Sequence, residues 1–154
     1  MDTALVNPFV EGTLHILDTT AGVKVQPDSP FLKTDTSPLG DISGMLEITG
    51  DLAGSAAVSF TEYSILGIVS AMFGEEMTQI DEEIFDAVGE ITNMVAGHVT
   101  TKLAEQGKKV KVKFVRVCTG PDQPIAHIES QSPVLAVPFK TTLGKVVIEV
   151  CYSG

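Results

Sequence analysis

Between residues 80 and 107 the chain reads IDEEIFDAVGEITNMVAGHVTTKLAEQG, and the spacing of its apolar residues decides how it folds. Isoleucine, valine and leucine at 84, 88, 91, 95, 99 and 103 recur with helical period, which predicts one long amphipathic helix with a continuous core-facing stripe. Asp81 suits the N-cap, and Gly107 suits the position just past a helix end, where a left-handed backbone is needed. At about 100° per residue, Asp86, Glu90, Asn93 and Gly97 fall within roughly 60° of one another on the side away from that stripe.

An ordinary solvated helix face mixes acidic and basic residues one turn apart, and a Glu three residues before an Asn is by itself common. This face has no Lys or Arg before Lys102. Gly89 and Gly97 interrupt the helix at a cost of up to about 1 kcal/mol each relative to alanine. Small residues, Ala96, Thr100 and Thr101, accompany them. Gly97 lies one turn beyond Asn93, where a missing side chain lets another backbone approach. The face therefore reads as a docking surface that carries two functional side chains.

A chain of 154 residues has the bulk for one core, so a single domain over 1–154 is expected. Hydrophobic residues at 44% against 19% charged indicate a folded globular protein. The start, MDTALVNPFVEGTLHIL, has neither a basic leader nor a continuous apolar stretch, and no run of about 18 apolar residues follows. A soluble, cytoplasmic protein with no membrane association is expected. The net charge of −10 speaks against nucleic acid and against an anionic membrane surface. The one basic cluster, Lys108, Lys109, Lys111 and Lys113, alternates with valines and predicts the solvated face of an edge-exposed strand. Cys118 and Cys151 sit in apolar segments and are expected to be buried free thiols. His15, His98 and His127 have no metal-ligand spacing, which argues against a zinc site held by this chain.

Residues 3 to about 17 read as a first amphipathic helix, weakened by Gly12. Val25 to Pro38 reads as a connection with a short strand around Phe31 to Thr34. Ser43 to Thr49 and Ala56 to Thr61 form a hairpin around Gly50-Asp51, and Glu62 to Phe73 is a short helix ended by Gly74. After the long helix come three strand-like stretches: Val110 to Cys118, Ile125 to Phe139, and Lys145 to Tyr152. Helices and strands do not alternate as in parallel-sheet proteins. The expected class is α+β: a mainly antiparallel sheet with helices, including the long one, packed on one face.

No Gly-rich phosphate loop, no GxSxG and no nucleophile set is present. The pattern Asp86, three residues, Glu90, two residues, Asn93 resembles the signature of the CheC/CheX/FliY chemotaxis phosphatases. The surrounding GEITNMVAG, the hairpin ITGDLAGSAAVSF, the approach SAMFGEEMTQID and the start ALVNPFVEG are similar to corresponding parts of that family. The single Glu/Asn pair resembles the CheX branch. One departure is Phe114-Val115-Arg116, where the family pattern has a proline.

The resemblance implies a CheC-like fold and hydrolysis of the phosphoaspartate on a CheY-like response regulator. In this reading Asn93 positions the attacking water, as an amide that both donates and accepts can do, and Glu90 pairs with the receiver's lysine. Asp86, Gly97 and Thr101 would contact the partner. The chain would hold no cofactor of its own, the Mg²⁺ being carried by the receiver. The alternative is a non-catalytic module that binds a response regulator or resembles the flagellar switch proteins. The apolar C-terminal strand from Lys145, flanked by proline-broken segments, also suggests an open edge, and with the resemblance it implies a homodimer built through a shared strand.

Overall fold

The computed structural model describes residues 3–33, 38–120 and 134–153. The chain runs α1 (Thr3–Ala21), β1 (Val25–Pro27), β2 (Phe31–Lys33), β3 (Ile42–Gly50), β4 (Gly54–Phe60), α2 (Glu62–Phe73), α3 (Glu82–Glu105), β5 (Val110–Thr119), β6 (Val134–Thr141) and β7 (Gly144–Tyr152). The strands form a seven-stranded antiparallel sheet in the order β1-β6-β7-β4-β3-β5, with β2 also paired to β6. The three helices share one core cluster with one sheet face, which is the α+β arrangement expected.

Local chemistry sets the ends of the helices. Thr61 caps α2 by accepting from the Ser64 amide, and Gly74 ends it at φ 66°. Asp81 accepts from the amides of Glu83 and Ile84 at the start of α3. At its end, Gly107 (φ 80°) donates to the Ala104 carbonyl and Lys108 to the Leu103 carbonyl. This is the paired closure that a left-handed glycine permits. All six stripe residues of α3, Ile84, Val88, Ile91, Val95, Val99 and Leu103, are fully buried or nearly so. They lie over β3 and β5, where Gly44 meets Thr92 so closely that a Cβ at Gly44 would overlap the threonine side chain.

The first helix runs to Ala21, farther than expected, and Gly12 has a packing role. A Cβ there would sit 3.2 Å from the His98 ring, so its absence lets α1 and α3 approach. β1, not expected from its three residues, is held by pairing with β6. The stretch from Ile125 to Pro133, with His127, lies outside the described residues.

The C-terminal strand overturns an expectation. It leaves no open edge, because β7 runs through the middle of the sheet between β6 and β4. Pro138 lies in β6 opposite Val147, and its carbonyl accepts from the Asp28 amide at 2.8 Å. The apolar run of β7 reflects burial on both faces, which from sequence alone looks the same as an exposed sticky strand. Among the described residues the open edges are β5 at one end and β1 with β2 at the other. The lysine-bearing stretch is therefore an edge strand, as expected, and Cys118 and Cys151 are buried free thiols.

The sheet face away from the helices is also covered along β3, β4 and β7. It holds a small cluster of Met45, Ala57 and Cys118 and a buried ion pair, Lys33 Nζ to Glu149 Oε1 at 2.8 Å. The pair links edge strand β2 to the central β7 across β6, with side chains 4% and 0% exposed. Breaking such a pair leaves a buried charge without its counter-ion, at a cost of about 3–5 kcal/mol. Lys33→Ala should lower unfolding stability by that order in urea titrations. Lys33→Met with Glu149→Leu should recover most of it, and an unaffected single variant would show that the pair contributes nothing.

Between α1 and α3 the rings of His15 and His98 lie 5.5 Å apart, a pairing that the scattered sequence positions did not suggest. Burial holds the His98 imidazole below the usual histidine range; His15 and Lys102 add to this, and Glu11 and Glu105 oppose it. Among the described residues its Nε2 is buried without a hydrogen-bond partner. The unfolded chain thus takes up a proton near pH 6.5 that the folded chain resists, so folding should lose stability as pH falls through and below that value. Chemical denaturation from pH 7.5 to 5.0 should show the decline, and His98→Gln should flatten it.

Candidate functional site

The outer face of α3 is fixed by the burial of its inner one. With the stripe locked onto the sheet, Asp86, Glu90, Asn93, Gly97 and Thr101 all project to solvent as a single row. A Cβ added at Gly97 would meet nothing within 4 Å, so the glycine opens onto solvent and does not pack against the protein's own core. The Thr101 hydroxyl donates to the Gly97 carbonyl at 3.1 Å, and the Thr100 hydroxyl to the Ala96 carbonyl at 2.8 Å. These bonds hold both hydroxyls against the helix, which keeps this end of the face low.

Gly89 acts differently. It is buried toward β5, where a Cβ would come 3.4 Å from the Phe114 ring. Beside this ordinary contact distance a groove of about 750 Å³ lies between α3 and the edge strand. Asp86, Glu90 and Asn93 line its helix wall with Phe85 and Met94, and Phe114, Arg116 and Val117 line its strand wall. Gly97 and Thr101 continue the same helix face but lie outside the groove.

The strand wall depends on a β-bulge. Leu46 pairs with Phe114 and Met45 with Arg116, leaving Val115 as an extra residue. Residues 110, 112 and 114 face the helices before the bulge, and Val117 faces them after it. Bulges at sheet edges re-aim side chains in this way. The bulge falls at Phe114-Val115-Arg116, the place where the family pattern has a proline. Phe114, Arg116 and Met94 were not singled out from the sequence as site residues. The adjacent apolar pair Phe114-Val115, which breaks the Val/Lys alternation, was a legible sign of a bulge.

Glu90 and Asn93 carry no competing contact. Among the described residues neither side chain makes a hydrogen bond or ion pair, and one helical turn separates them on an open surface. The groove therefore offers a carboxylate acceptor and an amide that can donate and accept, side by side and unspent. Among the described residues no group of three or more His, Cys, Asp and Glu is placed to hold a metal, and no helix is long and apolar enough to cross a membrane.

Residues 42–140, which include both walls of the groove, match the family described as Chemotaxis phosphatase CheX. The chain is 30% identical over 140 residues to the CheY-P phosphatase CheX of Thermotoga maritima, covering 90% of this chain and 88% of that protein. A CheC-like superfamily protein from Shewanella sp. PV-4 is similar over 100% of both chains at 36% identity, with a TM-score of 0.91. A CheX-CheY-BeF3-Mg²⁺ complex from Borrelia burgdorferi contains a chain of the same fold, with a TM-score of 0.80, 21% identity, and coverage of 97% of each chain. With both walls of its groove inside the matched region, the chain belongs to the chemotaxis phosphatase CheX family.

Proposed function

We propose that the protein hydrolyses the phosphoaspartate of a CheY-like response regulator in the cytoplasm, as a single phosphatase domain that docks the receiver against α3. The observation that carries this reading is the free Glu90/Asn93 pair, one turn apart on the exposed face of α3, in a chain of the CheX family. The Thermotoga relative is a CheY-P phosphatase, and the Borrelia complex pairs a chain of this fold with CheY, which supports the choice of partner.

The chain need supply little chemistry for this reaction. Phosphoryl transfer passes through a loose transition state in which positioning and charge stabilisation do most of the work. Asn93 would accept a hydrogen bond from a water and donate one to it, holding its oxygen in line with the phosphorus. Glu90 would pair with a lysine of the receiver and so fix the register of docking. Asp86 would contact the partner beside Glu90, and the low surface at Gly97 and Thr101 would admit the partner's backbone. Mg²⁺ would belong to the receiver and neutralise charge on the phosphoryl oxygens.

Phosphate release from an acetyl-phosphate-charged CheY-like receiver tests these roles. Asn93→Ala should lose about 10²-fold or more in stimulated hydrolysis while still binding the receiver, as expected when a positioning group is removed. Glu90→Lys should lose binding as well, because it sets like charges together. Near wild-type rates in Asn93→Ala would rule out the water-orienting role. Retained binding without turnover in the wild-type protein would point to the non-catalytic interaction module.

A homodimer remains part of this reading, with a different surface from the one that the C-terminal strand suggested. Among the described residues the β1–β2 edge is open, and it carries Phe31 and Leu32, 44% and 59% exposed. Exposed apolar strand edges favour pairing with another copy. That edge lies at the opposite end of the sheet from β5, so a dimer formed there would leave both grooves free. Light scattering at micromolar concentration should give the mass of two chains, and Leu32→Lys should shift it to one. A wild-type mass of one chain would exclude the dimer.

A further inference from the structure

The groove contains an aromatic side chain that neither the core nor the proposed reaction uses. Phe85 is 38% exposed, and among the described residues it is the one exposed large apolar side chain that lines the groove. Its direction follows from the helix. Residues 85, 89 and 93 are spaced four apart, so they stand one above another along the same side of α3. The middle one, Gly89, faces the Phe114 ring on β5. Phe85 therefore borders the seam between α3 and β5 one turn before Gly89, and Asn93 borders it one turn after. Gly89 leaves a gap in this row, with no side chain between the ring and the amide.

Two ordinary explanations of Phe85 fall short. With Asp81 as the cap, Ile80 and Phe85 occupy the two positions of a hydrophobic staple, which fixes the entry of the chain into a helix. Ile80 does pack against the core cluster, but Phe85 is not among the partly buried side chains that do so. A single exposed apolar residue is also common on any protein surface. Phe85 does not stand alone, because Met94, Phe114 and Val117, all partly buried, continue the apolar surface along the same groove.

We propose that Phe85 is the apolar anchor of the docked receiver, packing against an apolar patch on the receiver's surface beside its phosphorylated aspartate. The proposal rests on the receiver-phosphatase reading above. Eight residues of helix span about 12 Å, so a partner that presents a phosphoryl group to Asn93 also reaches Phe85. A specific interface covers about 800 Å² on each side, a patch of roughly 16 Å radius, which is wide enough to include both. Exposed ion pairs such as the one assigned to Glu90 contribute little affinity, whereas a buried aromatic at an interface commonly contributes much of it. Phe85 thus supplies affinity that does not depend on phosphorylation, and Glu90 and Asn93 supply register and chemistry.

The test uses wild type, Phe85→Ala, Phe85→Gln and Phe85→Leu, with the unfolding midpoint of each. Steady-state phosphate release is followed from an acetyl-phosphate-charged CheY-like receiver, and binding of that receiver is measured with and without beryllofluoride and Mg²⁺. Phe85→Ala and Phe85→Gln should raise KM and weaken binding of both receiver forms by about 10-fold or more, with kcat and the midpoint unchanged. The loss should persist at high salt, which screens charges but not apolar contacts. Phe85→Leu should recover most of it, since it keeps an apolar side chain. A loss that accompanies a lowered midpoint in both Phe85→Ala and Phe85→Gln would assign Phe85 to the helix start and overturn the anchor. A loss in kcat alone would overturn it too, as would a change in the free protein's mass in Phe85→Ala, which would make a second copy the occupant. Rates and affinities of Phe85→Ala within about twofold of an active wild type would overturn the anchor and leave the phosphatase reading standing. A wild-type protein that neither binds nor dephosphorylates the receiver would overturn both.

Discussion

Helix α3 can lie on the sheet as closely as it does because Gly44 has no side chain. Thr92, fully buried, donates its hydroxyl to the Val88 carbonyl and occupies the space that a Cβ on β3 would need. That contact sets the height and rotation of the helix. Once the stripe from Ile84 to Leu103 is seated, the row from Asp86 to Thr101 has no freedom to face anywhere but outward. Close-packed interiors transmit such constraints because they hold few voids to absorb a shift. The placement of the polar pair is thus a consequence of packing on the other side of the same helix.

Two further glycines extend this logic sideways. Gly12 lets α1 approach α3 over the His98 ring, and Gly89 faces the Phe114 ring of the edge strand. The first secures the helix from one flank, and the second lines the groove on the other. A mid-helix glycine costs helix propensity, and at Gly12 that cost is offset by an approach to the His98 ring that an alanine would crowd. The site is a seam between the helix and an open strand edge, so a partner can reach it without any rearrangement of the core.

A face carrying an unpaired carboxylate beside an unpaired amide suits a reaction in which the partner brings the reactive group and its metal. In the proposed hydrolysis this chain contributes position and charge, and neither demands a buried, enclosed pocket. An open groove between α3 and β5 serves that purpose and leaves the opposite sheet edge available for association between copies.

The sequence by itself determined the long helix, its caps, its inner stripe and the row Asp86, Glu90, Asn93, Gly97, because these depend on spacing within one element. It likewise determined the β3–β4 hairpin, the α2 boundaries and the exposed lysine strand, where turn residues and alternation act over a few positions. Tertiary structure alone decided that β7 is central, since a continuous apolar run reads the same whether a strand is covered on both sides or left bare. It also decided the Lys33–Glu149 pair and the His15–His98 contact. Those residues lie far apart in the chain, and no local periodicity encodes a distance across a sheet. Only strand order and register, set by how the whole core packs, bring them together.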